Sequence, residues 1–309
     1  MPDGISIIIV SYEVRSLLAA CLASVAQQEI PGFIVETIVI DNASSDGSAE
    51  MVRAEFPSVR LVANTLNVGF SQANNQGMEL ATGEFIFLLN PDTELQPGVL
   101  QKLYAFAENQ EGNFLAGPQL LNSDGSLQVS AWKTPAVSSM IAEALFLHRV
   151  FGVSEYPKEQ FAKEFSPGML SGAALFFPRR LFETIGGLDP QLFWMEDADF
   201  SFRAKKNGAA LVYLPGAKLI HHSGQSSKKN QRIVVSNQLL SKLKYYKKHL
   251  SGFAVATGVF FCFFHICSRI FLFSLFAVFS QNARMKTSAY LFTFRKFFRY
   301  LFSSDNSVT

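Results

Sequence analysis

The sequence ISIIIVSY, at residues Ile5–Tyr12, decides the fold. It is a continuous run of mostly β-branched side chains that ends in the polar residues Ser11 and Tyr12. A run of this kind is typical of a strand buried on both faces, as in parallel sheets. The apolar residues that follow, between Leu17 and Val25, recur at helical spacing. The segment therefore predicts a strand followed by a helix, with polar side chains at the strand's carboxyl end.

Three more apolar runs repeat this arrangement. They are predicted as the strands Val35–Ile40, Val59–Ala63 and Phe85–Leu89. Helices are predicted at Ala49–Phe56, Ala73–Ala81 and Leu100–Ala107. Alternating strands and helices predict an α/β fold, with a doubly wound, mostly parallel sheet flanked by helices. Ligands bind such sheets at the carboxyl ends of the strands.

Polar residues collect at these predicted strand ends, at Ser11, Asp41, Asn67 and Asp92. The first strand lacks the Gly-x-Gly-x-x-Gly pattern, and the chain has no Walker-type Gly-Lys-Ser/Thr. We therefore expect a nucleotide site that uses neither of these phosphate cradles. Asp41 is suited to a hydrogen bond with a base or ribose, although it could also begin an Asx-turn.

Two further segments suggest a cation site. Asn90-Pro91-Asp92 follows a buried strand, where a carboxylate can hold a hard divalent cation against a diphosphate. The alternative is a simple turn, with Pro91 at its second position. His221, in the segment His221-His222-Ser223-Gly224, ends another predicted strand and is a candidate imidazole ligand for the same cation. Its alternative is a hydrogen-bonded structural role.

An acidic cluster follows two aromatic residues in the segment Phe193–Arg203. Carboxylates crowded beside aromatic surface have raised pKa values or need a cationic partner. The alternative is a solvated helix start, which favours acidic residues. If a helix runs through the cluster, Glu196, Asp199 and Arg203 share one face, and Asp197 lies nearly opposite Asp199. Asp197 would then lie apart from the face on which Arg203 can pair with the other two acids.

Residues 108–170 are less regular. Leu145–Glu164 is predicted to be a variable loop and a candidate lid over an acceptor. Gly172 lies in a small-residue turn, where a glycine allows close approach of a ligand to the backbone. A plain bulge explains Gly172 equally well at this point.

Composition limits the remaining possibilities. A chain of 309 residues fits one large domain with or without an appendage. Its three cysteines have no metal-type spacing, which fits a reducing, cytosolic setting. The amino terminus lacks a basic n-region, so we expect a buried strand there and no signal peptide. Residues 1–199 carry 24 acidic and 10 basic residues, whereas residues 200–309 carry one acid and 17 basic residues.

The carboxyl-terminal region is both basic and apolar. Phe253–Phe279 is long enough to span a bilayer, but His265 and Arg269 lie near its middle and both flanks are basic. These features favour a re-entrant hairpin or in-plane helices. Tyr290–Phe302 has an apolar and a basic face, as helices in the headgroup region do. The alternative is a helical cap on the catalytic domain or on a partner subunit. We predict a catalytic domain at 1–250 and a membrane-associated region at 251–309.

The motifs together resemble family 2 glycosyltransferases of the GT-A fold, particularly the rhamnosyltransferase-like branch. Their order and spacing fit throughout residues 5–250. The resemblance is carried by Val39–Ser48, Asn67–Gly77, Leu88–Asp92, Gly187–Arg203 and His221-His222-Ser223-Gly224.

The resemblance implies an inverting transfer of a sugar, with rhamnose as the family expectation, from a nucleoside-diphosphate donor to a saccharide hydroxyl. Asp197 would be the catalytic base, while Asp92 and His221 would hold a divalent cation, Mg²⁺ or Mn²⁺. Asn90 replaces the first acid of the family's Asp-x-Asp motif, which removes one anionic ligand. Glu196, Asp199 and Arg203 would support the site. The implied donor-binding residues are Ser11, Tyr12, Asp41, Asn67, Gly69, Asn90 and Gly172.

We expect a lipid-linked saccharide acceptor and an anionic membrane surface as partners, at the cytoplasmic face of the cell membrane, in surface polysaccharide synthesis. One alternative is a catalytically weak, nucleotide-sugar-binding scaffold in a membrane assembly, supported by Asn90. Binding of nucleic acid is not expected, because the basic residues are interleaved with Phe-rich apolar runs and no nucleic-acid motif is present.

Overall fold

The computed structural model describes residues 4–30, 32–147, 152, 154–222 and 231–302. Ser223 and Gly224 of the histidine motif, and residues 148–151 and 153 of the predicted lid, lie outside the described residues. The chain divides into two compact units. The first unit comprises residues 1–134, 156–190 and 196–223, and the second comprises 135–155, 191–195 and 224–309. The predicted boundary at residue 250 stays a prediction.

The strands all belong to the first unit. In chain order they are β1 (Gly4–Ser11), β2 (Ile34–Asp41), β3 (Arg60–Ala63), β4 (Phe85–Leu89), β5 (Thr93–Leu95), β6 (Phe114–Leu121), β7 (Leu127–Gln128), β8 (Ala131–Trp132), β9 (Met169–Leu170), β10 (Ala174–Pro178) and β11 (Ala210–His221).

The helices are distributed over both units. In chain order they are α1 (Arg15–Ala26), α2 (Ser48–Glu55), α3 (Phe70–Leu80), α4 (Val99–Glu108), α5 (Val137–Ala144), α6 (Arg179–Ile185), α7 (Glu196–Lys206), α8 (Gln231–His249), α9 (Gly252–Phe276) and α10 (Gln281–Phe302). A short 3₁₀ helix at Lys158–Ala162 lies within the predicted lid.

The main sheet has the strand order β3-β2-β1-β4-β10-β6-β11-β5, and β7 pairs with β6. The predicted α/β fold is confirmed, and β1 to β4 run parallel as expected. Beyond β4 the sheet is mixed, because β10 runs antiparallel to both of its neighbours. β10 begins where β4 ends: Asn90 N–H donates to the carbonyl oxygen of Ala173, at 2.9 Å. This antiparallel return brings the Gly172 turn to the carboxyl end of β4.

Both faces of the sheet are buried, as the uninterrupted apolar strands predict. Along β1, Ile7 and Ile9 pack into one apolar cluster, whereas Ile8 and Val10 pack into the other. Burying each such side chain contributes about 1.5–3 kcal/mol. The two clusters hold the strands in register, and this register fixes which polar residues meet at the carboxyl ends.

β11 is one long strand where the sequence suggested two segments, Leu211–Leu214 and Gly216–Ile220. Its pairing with β6 shifts register between Leu214 and Lys218. Pro215 lies in this interval and has no N–H to donate, so a local irregularity is accommodated there. The strand then continues to His221, which places the histidine opposite Thr93 of β5.

The second unit is built from helices α5, α8, α9 and α10. Lys242 of α8 forms an ion pair with Glu143 of α5, at 2.7 Å. The buried Arg269 of α9 donates to the carbonyl oxygens of Glu143 and Ala144, and its guanidinium lies 3.5 Å from the ring centroid of Phe146. Among the described helices, α9 alone is long and apolar enough to cross a membrane by length and composition.

Candidate active site

The carboxyl ends of β1 and β2 present polar atoms that lack a protein partner. Ser11 and Asp41 are register neighbours at these ends. Within the described residues, Ser11 Oγ and Asp41 Oδ1 are buried without a hydrogen-bond partner. The other oxygen of Asp41, Oδ2, accepts from Ser44 N–H at 3.0 Å. Asp41 therefore supports the turn with one oxygen and leaves the other for a ligand, since buried polar atoms are normally paired.

Glu13 joins the loops that follow β1 and β2. Its Oε1 accepts from the N–H and the hydroxyl of Ser45, at 2.7 and 2.9 Å. Its own N–H donates to Ser44 Oγ at 3.1 Å. Glu13 has a φ of 55°, the left-handed region that non-glycine residues seldom occupy. No sequence motif singles out Glu13, which holds the loop that begins at Asp41.

A pair of asparagines holds the loop before α3. Asn42 Nδ2 donates to Asn67 Oδ1 at 2.8 Å, and Val68 N–H donates to Asn42 Oδ1 at 3.0 Å. Asn67 Oδ1 also accepts from Gly69 N–H at 2.9 Å. Gly69 has φ 86° and ψ 162°, a conformation that is essentially restricted to glycine. Asn67 and Gly69 thus belong to the loop that is hydrogen-bonded to Asn42, the neighbour of Asp41. Tyr12, which directly follows β1, is exposed.

Asp92 and His221 meet at the other end of the row of strands. Asp92 Oδ1 lies 3.3 Å from His221 Nε2, and both side chains are largely buried. Backbone pairing fixes the approach, because His222 N–H donates to the carbonyl oxygen of Asp92 at 2.8 Å. Residues 129 positions apart in the chain are thus brought together by the antiparallel pairing of β5 with β11.

Gln128 determines which nitrogen of His221 carries the proton. Its Nε2 donates to Asn122 Oδ1 at 2.9 Å and to the carbonyl oxygen of His221 at 3.3 Å. Its Oε1 therefore faces His221 Nδ1, at 2.6 Å. An amide oxygen can only accept, so Nδ1 is the protonated nitrogen. In the neutral ring, the Nε2 lone pair then points toward the Asp92 carboxylate.

A divalent cation fits this arrangement. The Nε2 lone pair and the Asp92 oxygen repel each other unless a proton or cation lies between them, and metal-binding histidines use a neutral imidazole. Asn90 Oδ1 is buried and has no partner among the described residues. No group of three His, Cys, Asp or Glu side chains suited to a metal occurs in the described part of the chain. Asp92 and His221 are thus two adjacent side chains of the types that bind a divalent cation, and further ligands would have to come from a substrate or from water.

Asp197 lies in the first turn of α7 and faces the Gly172 turn. Its Oδ2 accepts from Gly172 N–H at 3.0 Å, and its Oδ1 accepts from Ala198 N–H at 2.8 Å. A Cβ atom at Gly172 would lie 3.3 Å from Asp197 Cβ, so glycine permits this approach. Burial raises the pKa of Asp197 to about 6, although the two amide hydrogen bonds oppose the increase. A carboxylate with a pKa near neutrality is suited to accept a proton.

Asp199 and Arg203 of the acidic cluster form an ion pair within α7. Arg203 Nε donates to the fully buried Asp199 at 2.7 Å. The same guanidinium donates to the carbonyl oxygens of Ile185 and Gly187, each at 2.6 Å. Helix α7 begins at Glu196, so the predicted angular separation of Asp197 from Asp199 applies. Arg203 therefore links Asp199 to the backbone of the turn at residues 185–187. Asp197 instead accepts a hydrogen bond from Gly172 N–H.

Comparisons with known proteins identify the family of this chain. Residues 6–186 match the family described as glycosyl transferase family 2. The chain belongs to glycosyltransferase family 2.

Curated relatives of this glycosyltransferase include a rhamnosyltransferase and a second biosynthetic glycosyltransferase. It is 30% identical over 249 residues to an N-acetylglucosaminyl-diphospho-decaprenol L-rhamnosyltransferase from Mycobacterium tuberculosis, covering 74% of this chain and 78% of the relative. It is 26% identical over 212 residues to a PGL/p-HBAD biosynthesis glycosyltransferase from Mycobacterium bovis, covering 67% and 72%. The predicted family and enzyme class are confirmed.

Solved structures confirm the GT-A fold. A mannosyltransferase from Pyrobaculum calidifontis, in complex with GDP-Man and Mn²⁺, has a TM-score of 0.60 at 14% identity, covering 99% of this chain and 90% of that one. The structure of GalNAc-T7 with UDP, GalNAc and Mn²⁺ has a TM-score of 0.58 at 17% identity, covering 79% and 48%. Both neighbours hold Mn²⁺ in their structures.

The glycosyltransferase fold brings the predicted residues together in three groups. Ser11 and Asp41 lie at adjacent strand ends, Asp92 lies beside His221, and Asp197 lies beside Gly172. The roles assigned to these residues stay predictions. Sequence reasoning missed Glu13, Asn42, Asn75 and Gln128. Asn75 exchanges two hydrogen bonds of 2.8 Å with the backbone of Leu188, and its place within the Asn67–Gly77 motif could have drawn attention to it.

Proposed function

We propose that this glycosyltransferase transfers rhamnose from a nucleoside-diphosphate donor to a lipid-linked saccharide, with inversion at the transferred carbon. The observation that carries the choice of sugar and acceptor is the relative at 30% identity, an L-rhamnosyltransferase whose name specifies a diphospho-decaprenol acceptor. The chain's own geometry supports the chemistry. The same catalytic fold carries the buried Asp41 at a strand end, the Asp92–His221 pair, and Asp197, whose pKa is raised.

The donor nucleotide is assigned to the ends of β1 and β2. Within the described part of the chain, Asp41 Oδ1 and Ser11 Oγ are buried there without a protein partner. A base or ribose N–H or O–H would satisfy Asp41, and the Ser11 hydroxyl can donate or accept. Glu13 and Asn42 hold the two neighbouring loops in place, which reduces the ordering cost of binding.

Asp92 and His221 are assigned as the protein ligands of a divalent cation, and Asn90 as a neutral neighbour that contacts the donor. When bound, such a cation stabilises negative charge on the leaving diphosphate. Gln128 accepts from His221 Nδ1–H, so Nε2 is the nitrogen that faces Asp92 and carries the lone pair in the neutral ring. The Mn²⁺ in the solved structural neighbours supports a divalent cation.

Asp197 is assigned as the base that removes the proton from the acceptor hydroxyl. The oxygen of that hydroxyl attacks the anomeric carbon as the bond to the diphosphate breaks, and the proton passes to an oxygen of Asp197. One direct displacement inverts the configuration. General-base assistance contributes about 10²–10⁴-fold to the rate. Gly172 N–H orients the carboxylate, and burial raises its pKa to about 6.

The acceptor's lipid anchor requires the enzyme to work at a membrane, and we assign it to the cytoplasmic face. There, nucleotide sugars are available and the basic carboxyl-terminal region would face anionic lipid. Residues 200–309 carry 17 basic residues and one acid.

A donor and acceptor panel tests this function. Purified full-length protein with Mn²⁺ would be given nucleoside-diphosphate sugars, including rhamnose donors, and polyprenyl-diphospho-N-acetylglucosamine. We expect release of nucleoside diphosphate and a rhamnosylated lipid, whose anomeric configuration by NMR is opposite to that of the donor.

Three results would contradict the proposal in different ways. Transfer of another sugar would remove the assignment of rhamnose and leave the family intact. Donor binding by calorimetry without turnover on any acceptor would favour the alternative, a nucleotide-sugar-binding scaffold. Retention of configuration would exclude Asp197 as a base in a single displacement.

A further inference from the structure

Helix α9 exposes a stripe of large apolar side chains on one face. Its members are all more than one third exposed and recur at spacings of seven and four residues; they are Phe253, Phe260, Phe264, Phe271 and Leu275. At about 100° per residue they lie within about 60° of one another around the helix. With a rise of about 1.5 Å per residue, the stripe extends over about 33 Å. An apolar patch of this size on a soluble surface marks an interaction site.

The opposite face of α9 is packed inside the second unit. The buried residues of the helix lie on that face: Gly258, Cys262, His265, Ile266 and Arg269. Arg269 is held there by the carbonyl oxygens of Glu143 and Ala144 at the end of α5. The one arginine of the helix therefore lies on the side away from the stripe.

Helix α10 runs antiparallel beside α9 for much of its length. The ring centroids of Phe263 and Phe297 are 5.9 Å apart, and those of Phe273 and Tyr290 are also 5.9 Å apart. Lys286 Nζ lies 5.2 Å from the Phe273 ring centroid. α10 also carries Arg284, Arg295, Lys296 and Arg299. If α9 crossed a bilayer in this packing, it would carry these cations into the hydrocarbon, where charged side chains are strongly disfavoured.

The charge of the region indicates what covers the stripe. Residues 231–302 contain 11 lysines and arginines and no aspartate or glutamate. A second copy of the chain would bring two strongly cationic surfaces together, and like charges across an interface are unfavourable. A bilayer that contains anionic lipid offers both apolar depth and opposite charge.

We propose that α9 lies in the plane of the membrane, with the Phe253–Leu275 stripe inserted among the acyl chains of an anionic lipid surface and the α10 arginines near the headgroups. This inference rests on the proposed function in one respect only: both take a membrane as the partner of the chain. Helix α9 is long and apolar enough to cross a membrane, but in this proposal it is a surface that docks onto one.

Vesicle sedimentation of the full-length protein tests the proposal without donor or acceptor. Vesicles of phosphatidylcholine alone are compared with vesicles that also contain phosphatidylglycerol. We expect the unchanged protein to bind the anionic vesicles. In a Phe260→Ser/Phe271→Ser variant, the affinity for these vesicles should fall by about tenfold or more. Ile233→Ser, an exposed apolar position on α8, is the matched control and keeps full binding. Arg295→Gln/Arg299→Gln is expected to reduce the preference for anionic lipid.

A labelling experiment separates in-plane from spanning geometry even if the phenylalanine variant folds poorly. Single cysteines replace the exposed Ser251 and Asn282, which flank α9. They are treated in sealed inverted vesicles with a membrane-impermeant maleimide. Labelling of both positions from the same side is expected. Labelling from opposite sides, unchanged binding of the phenylalanine variant, or concentration-dependent dimerisation in place of vesicle binding would overturn the proposal. Because turnover is not measured, failure of the sugar or acceptor assignment would not affect these results.

Discussion

Gln128 Oε1 accepts a hydrogen bond from His221 Nδ1 at 2.6 Å, and this contact fixes the orientation and the tautomer of the histidine. The other nitrogen of the ring is left facing Asp92 Oδ1 at 3.3 Å. A two-residue strand, β7, supplies the glutamine through its pairing with β6. A neutral side chain outside the sequence motifs thus orients the histidine that we propose as a ligand of the cation.

Replacing Gln128 with leucine is expected to lower the affinity for Mn²⁺ by about 10–100-fold, the usual effect of losing a hydrogen bond that orients a metal-binding histidine. The measurement is a titration of Mn²⁺ followed by electron paramagnetic resonance, in the presence of nucleoside diphosphate. It reports binding and does not depend on turnover.

Gln128→Glu and Gln101→Leu are the matched controls for this prediction. A glutamate at position 128 still accepts from His221 Nδ1–H. The Gln128→Glu variant is therefore expected to bind Mn²⁺ about as tightly as the unchanged protein. Gln101 is an exposed glutamine whose amide donates to the carbonyl oxygen of Glu29, away from the histidine. Equal losses in all three variants would show that Gln128 acts only on folding. Long-range ¹H–¹⁵N spectra should show His221 protonated at Nδ1 and lose that signature in Gln128→Leu.

Asn90→Asp is expected to tighten binding of the divalent cation by about tenfold, because it adds a carboxylate near a site with few anionic ligands. In the absence of metal the same change should lower stability, since the introduced carboxylate and that of Asp92 would repel each other. Thermal unfolding with and without Mn²⁺ measures both effects. A variant that is destabilised equally in both conditions would place residue 90 away from the cation.

The parallel half of the sheet and its polar strand ends could be predicted from sequence because each depends on local pattern. The run Ile5–Val10 is apolar at every position but Ser6, which requires burial on both faces. The antiparallel course of β10 could not be predicted, because its direction is set by long-range pairing with β4 and β6. Gln128 and Glu13 were missed for the same reason: their partners are 93 and 32 residues away in the chain.

For Asp197, we expect kcat/KM to fall about tenfold per pH unit below pH 6, because the base must be ionised and its pKa is raised to about 6. The pH profile of initial rates measures this. The Asp197→Asn variant should retain donor binding by calorimetry while its turnover falls by about 10²–10⁴-fold. Its residual rate should lack the acidic limb. An acidic limb near pH 6 that persists in the variant would assign it to another group.

The raised pKa of Asp197 also predicts a dependence of stability on pH. Below pH 4 both the folded and the unfolded states hold this proton, and between about pH 4 and 6 only the folded state keeps it. The contribution of Asp197 to stability is therefore full at low pH and is lost as the pH rises through about 6. Asp197→Asn should gain on the order of 2 kcal/mol over the unchanged protein at pH 7. Urea unfolding at pH 4 and pH 7 should show the difference at pH 7 alone.

Arg203→Met is expected to destabilise the protein by about 3–5 kcal/mol, because it removes the cation from the fully buried Asp199. It also releases the carbonyl oxygens of Ile185 and Gly187, which lie before the acidic cluster. Arg203→Lys keeps the charge but cannot reproduce the fork of contacts, so we expect an intermediate loss. Urea unfolding curves provide the measurement.

The double variant Arg203→Met/Asp199→Asn separates the buried charge from the backbone contacts. If the cost comes mainly from the uncompensated carboxylate, neutralising Asp199 recovers much of the loss, and the two changes are far from additive. The remaining deficit then measures the Ile185 and Gly187 contacts. Turnover should follow the same order, because the turn that Arg203 holds leads directly into the segment that carries Asp197. Additive effects on stability would mean that the ion pair contributes little and that Arg203 acts through the turn alone.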